Sequence, residues 1–72
     1  MKSAILETKV ENLNREVNGE FELDFAFGGV RLCEKSNAYG GLSDVSERMT
    51  NAQMSALLDT LYLLARKHNI KF

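Results

Sequence analysis

Leu6, Val10, Leu13 and Val17 follow one another at intervals of four, three and four residues, with Ile5 beside them, which places them on one stripe of an amphipathic helix. Glu11 and Arg15 add an i,i+4 ion pair in the favoured order. Asn18-Gly19 offers a competing hairpin turn. With a two-residue turn there, Val17 faces Glu20 and Leu13 faces Asp24, so the apolar residues of the two arms fall on opposite faces of the sheet. A helix stopped by Asn18 and Gly19 avoids that conflict. It is the preferred reading of residues 3–17, with a strand as the alternative.

From Glu20 the period changes to strict alternation, with Phe21, Leu23, Phe25 and Phe27 on one face and Glu20, Glu22, Asp24 and Ala26 on the other. Gly28-Gly29 can supply the positive φ angles of a two-residue turn. That turn predicts a hairpin in which Phe27 pairs with Val30 and Phe25 with Leu32, while Glu22 meets Lys35 and Asp24 lies diagonal to Arg31. Residues 36–41 read as a loop, and Leu42 to Ser46 as a short third strand with Val45 inward.

The last helix is announced by Thr50 as N-cap, with Gln53 three residues later completing a capping box and Met49 and Met54 forming a hydrophobic staple. Met54, Leu57, Leu58, Leu61, Leu64 and Ala65 make its apolar stripe. Arg66, Lys67 and His68 sit in the final turn, where positive charge complements the helix dipole. Asn69 is its expected end, with Ile70 and Phe72 folding back. The whole predicts a single α+β domain over residues 1–72. It holds an N-terminal helix, an antiparallel hairpin with a short third strand, and a C-terminal helix packed on the sheet. Its expected core sets Phe21, Leu23, Phe25, Phe27, Val30 and Leu32 against Leu57, Leu58, Leu61 and Leu64.

Composition narrows the function classes. A chain of 72 residues buries only about 60% of its unfolded surface, so some additional staple is expected. One cysteine excludes an internal disulfide, and one histidine with one cysteine cannot build a four-ligand zinc site. Tyr62 and Leu63 widen the apolar arc of the last helix beyond what one sheet face needs. A homodimer through the helices is therefore expected, the alternative being a monomer wrapped by its own first helix and tail. A net charge of −1 gives no basic field for nucleic acid, and Arg66, Lys67 and His68 are better explained by the helix dipole. No apolar run approaches the roughly 18 residues of a membrane span, and the first residues do not resemble a signal peptide, so a cytoplasmic location is expected.

Candidate chemistry is sparse. Cys33 and His68 lack a third group that would mark a nucleophile and base, and Glu20, Glu22 and Asp24 face Arg31 and Lys35 as a charge-laced sheet surface. No catalytic residue, metal ligand or cofactor is expected. The richest stretch is Gly40 to Thr50, where Gly40, Gly41, Ser43, Asp44, Ser46, Arg48 and Thr50 precede a helix N-terminus able to receive an anion. With Arg31 recruited from the hairpin, these residues are the candidate ligand-binding set. They match neither a Walker loop nor a dinucleotide-binding turn, and loop plus helix cap is the competing account. If they bind a ligand, Arg48→Ala and Asp44→Ala abolish binding and leave stability within about 0.5 kcal/mol, as for exposed substitutions.

Phe27-Gly28-Gly29-Val30-Arg31-Leu32, Gly40-Gly41-Leu42-Ser43-Asp44-Val45-Ser46 and the capped helix together resemble small accessory proteins of bacteriophages and prophages. The resemblance spans about residues 25 to 67 and rests on size, acidic pI and motif texture. It implies a non-enzymatic protein that inhibits a host defence component, by binding a protein surface or by sequestering a nucleotide signal. The location it implies is the host cytoplasm. The alternative is a minor structural or assembly protein that bridges other chains. Expected partners are a second copy of the chain and a host protein or nucleotide signal, with neither membrane nor nucleic acid among them.

Overall fold

A computed structural model describes residues 3–36 and 41–71, without the side chains of Ser36 and Leu42. Helix α1 covers Ala4–Val17. Strands β1 (Phe21–Ala26), β2 (Gly29–Ser36) and β3 (Gly41–Asp44) follow, then helix α2 (Asn51–His68). The sheet is antiparallel in the order β1-β2-β3, and both helices lie on one face of it. The α+β architecture expected from the sequence is the observed one.

Local chemistry sets both helices. Ser3 caps α1 by accepting from the Leu6 N–H, and Asn18 ends it in the left-handed conformation at φ 56°. The helical reading of residues 3–17 therefore holds, and Leu6, Val10, Leu13 and Val17 are all buried. In α2 the Thr50 hydroxyl accepts from the Gln53 N–H, while the Gln53 side chain accepts from the Thr50 N–H, as the capping box requires. Asn69 closes the helix at φ 53°. The two helices pack side by side over Val30 and Leu32 of the central strand, joined at their rim by the Lys9–Asp59 ion pair.

The hairpin keeps its predicted faces and loses its predicted register. Phe25 pairs with Val30 and Leu23 with Leu32, two residues away from the expected partners, because Phe27-Gly28 forms the turn and Gly29 already pairs with Ala26. A shift of two preserves every face, since side chains alternate with period two. It changes the fate of Phe27, which stands fully exposed at the hairpin tip instead of joining the core. Gly29 is fixed by close approach, because a Cβ there would lie 2.4 Å from the Met49 carbonyl oxygen, and its φ is +127°.

The third strand also differs from expectation. β3 ends at Asp44, and Val45 is 47% exposed rather than inward. The chain bulges at this point. The N–H groups of Val45 and Ser46 both donate to the Leu32 carbonyl, the Ser46 hydroxyl accepts from the Leu32 N–H, and Met49 resumes pairing with Val30. The bulge resets the alternation that would have turned Val45 inward. At the far end of α2, Leu64 is 45% and Ile70 40% exposed, so neither is a core residue, and Phe72 lies outside the described residues. No helix among the described residues is long and apolar enough to cross a membrane.

Candidate functional site

The residues selected from the sequence do converge, though they bind one another. Asp24 of β1 and Arg31 of β2 are direct cross-strand partners, and Arg31 Nε donates to Asp24 Oδ2 at 2.9 Å. The other end of the Arg31 guanidinium lies 3.0 Å from the Asp44 carboxylate. Arg48 reaches across the bulge and donates to the backbone carbonyls of Asp24 and Gly29 at 3.2 and 3.1 Å, and to Asp24 Oδ2 at 3.1 Å. The hydrogen bond from Arg48 to its carboxylate is the largest effect on Asp24; desolvation opposes it, and the hydrogen bond and charge of Arg31 with the charge of Arg48 leave the carboxyl below its ordinary value of 3.8.

Ser46 accepts from the Leu32 N–H at 2.9 Å and donates to the Glu47 carbonyl, and Thr50 is the α2 cap. Arg31, Asp44, Ser46, Arg48 and Thr50 of the selected set thus each have an internal task in the fold. Arg48 is a clamp on the hairpin rather than a free cation at the start of α2, so Arg48→Ala cannot leave stability untouched. Ser43 and Gly41 are exposed on β3, and Gly40 lies outside the described residues.

Cys33 is fully buried on the sheet face away from the helices, between the Lys35–Glu22 pair at 3.2 Å and the Arg31–Asp44 pair. Burial pushes its thiol up, with the Asp44 and Asp24 charges acting in the same direction and Arg31 against them. An inert, protonated thiol follows. His68 is exposed in the last turn of α2. No group of three or more possible metal ligands occurs among the described residues.

A different region remains open. Phe21 and Leu23 pair with Glu34 and Leu32 at positions where the two strands exchange no hydrogen bonds. This follows from the Lys35 N–H donating to the Glu20 carbonyl across the Phe21–Glu34 pair. Phe25, two residues further along, is in the same phase. The N–H and C=O of Phe21, Leu23 and Phe25 therefore point away from β2, along the outer edge of the sheet. At Phe21 the edge is closed by the Asn14 side chain, whose Oδ1 accepts from the Phe21 N–H at 2.8 Å and whose Nδ2 donates to its carbonyl at 3.0 Å.

Beyond Asn14 the helix and the strand diverge into a groove of about 490 Å³. Val10, Phe21, Leu23 and Phe25 form its apolar lining, and Glu7, Glu11 and Glu22 its acidic one. Among the described residues Glu7 and Glu11 take part in no ion pair. Asn14 was missed in the sequence reading. Its signal is an amide on the flank of the α1 stripe, three residues before Val17, where a helix facing a sheet edge can offer both a donor and an acceptor. Comparison with protein families, curated proteins and solved structures returns no match for this chain.

Proposed function

We propose that the protein is a small non-enzymatic binding protein whose target is a segment of another protein, taken up along the outer edge of β1 beside α1. One observation carries this reading: the backbone groups of Leu23 and Phe25 point outward over an apolar groove, in the arrangement that strand addition uses. Edge strands in proteins that do not use them are commonly covered or blunted, and here Asn14 covers only Phe21. In this reading, inhibition of a host defence component is exercised by occupying a strand or tail of a host protein. Sequestration of a nucleotide is the weaker reading, because Arg31, Asp44, Ser46, Arg48 and Thr50 are already bonded within the chain. An assembly protein would use the same edge and differ only in its partner.

The experiment has two arms. Nucleotides and cyclic nucleotides should leave the Tm of the protein unchanged. Immobilised protein should capture a protein from host lysate, and capture should fail when Leu23 carries an N-methyl group, which deletes one outward donor and keeps the side chain. Cys33 provides a ligation point for preparing that protein by synthesis, and circular dichroism checks that it folds. A nucleotide that raises Tm, with the rise lost in Arg31→Met, would overturn the proposal.

A further inference from the structure

Resting on that reading, the geometry points to one kind of occupant for the groove: an extended basic segment of another protein, with Lys or Arg at alternate positions facing the helices, added to β1 as a fourth strand.

The backbone defines the length. Asn14 closes the edge at Phe21, and the hairpin turns at Phe27-Gly28, so among the described residues the open edge groups are those of Leu23 and Phe25. These are alternate residues of one strand, about 6.8 Å apart, and together they can hold a short incoming strand. Neighbouring side chains of such a strand point to opposite faces. Those turned toward the helices lie over Val10, Leu23 and Phe25.

The wall above this floor selects the side chains. Glu7 and Glu11 stand one helical turn apart on the flank of α1 that faces β1, in line with Asn14. A lysine or arginine places its methylene stem on the apolar floor and its cationic head beside these carboxylates. A wholly apolar segment would leave both carboxylates partly desolvated without a counter-charge, and an acidic one would meet repulsion.

A second copy of this chain does not satisfy the same wall. β1 reads Phe-Glu-Leu-Asp-Phe-Ala and carries no cation, so a two-fold β1 pairing would bring acidic walls together with no Lys or Arg between them. Charge thus favours a heterologous basic strand over self-pairing at this edge.

The test uses two capped six-residue peptides, one alternating threonine with lysine and the other threonine with glutamate. Amide exchange at Leu23 and Phe25 is followed by NMR. The lysine peptide should slow exchange at these two amides by about tenfold or more. Its effect should fall with added salt and in the Glu7→Gln/Glu11→Gln variant, both sites being exposed, and should vanish at Phe25, whose amide proton remains as the readout, when Leu23 is N-methylated. The glutamate peptide should have no effect.

Equal protection by both peptides overturns the charge inference and leaves the strand-addition reading standing. Protection that rises with protein concentration in the absence of peptide makes a second copy the occupant and overturns the inference. Failure of both peptides, with undiminished lysate capture by the N-methylated protein, removes inference and reading together.

Discussion

Arg48 makes three hydrogen bonds to residues 24 and 19 positions earlier in the chain, and the carboxylate it shares with Arg31 sits at the centre of the polar cluster. Asp24 is held ionised by these partners, with its pKa lowered from 3.8. A depressed carboxyl pKa stabilises the fold above the unfolded-state value, and that contribution disappears as pH falls through the lower folded-state value. The unmodified protein should therefore lose stability below about pH 4, and Asp24→Asn should lose less over the same interval. Denaturant titrations at pH 6 and at pH 2.5 check this, since the gap between the two proteins must narrow with acid. A constant gap would mean that the charge on Asp24 does not matter. At this scale the legible residues were those whose partners are near in sequence: Thr50 with Gln53, and Asn18 and Asn69 as helix ends. Arg48 and Ser46 were legible as polar groups near a helix start, but their partners lie across the sheet. Local spacing therefore offered them as a candidate ligand set or as loop and cap, and could not point to Asp24, Gly29 and Leu32 as their partners.

At the scale of elements, the helices follow from the stripes, because a 3.6-residue period admits one buried face and the caps fix its ends. The hairpin was different. Two adjacent glycines permit turns at neighbouring positions, and registers two residues apart present the same apolar face, so alternation alone could not choose between them. The choice is made by a third segment. Val30 and Met49 exchange backbone hydrogen bonds at 2.8 Å, which brings the Met49 carbonyl against Gly29 and leaves room for no side chain there. Gly29→Ala should accordingly destabilise the protein by about 1–3 kcal/mol through backbone strain. Phe27→Ser should cost less than about 0.5 kcal/mol because the ring is exposed at the tip, whereas Leu32→Ala, fully buried, should cost about 2–5 kcal/mol. Urea denaturation of the three variants decides between registers. With Phe27 opposite Val30, as the alternation also allowed, Phe27→Ser would rank near Leu32→Ala.

At the scale of the whole molecule, the apolar excess expected from the sequence is only partly absorbed within the chain. α1 lies against α2 and covers Leu58, and Tyr62 packs against the core with its ring beneath the Arg66 guanidinium. On the other flank of α2, Leu57, Leu61 and Leu64 form a row at helical spacing. Leu57 and Leu61 are half-buried, Leu64 is 45% exposed, and Leu63 beside it is 65% exposed. Among the described residues α2 makes close backbone contact with α1 and β2 and none with β3, so β3 does not pack closely against this row. Apolar surface at a helix flank in so small a domain is most economically covered by the same flank of a second copy. Sedimentation equilibrium at micromolar concentration should therefore report about twice the monomer mass, with Tm rising as the protein is concentrated. Leu64→Glu should return the mass to 8.1 kDa with its helical signal retained, because the substituted position is outside the core. N-methylation at Leu23 should leave the dimer intact, since the β1 edge lies beside α1 rather than on this flank. A mass of 8.1 kDa at every concentration would dispose of the helix-mediated dimer. Dissociation by the Leu23 modification would move the contact to the sheet edge and take the peptide groove with it.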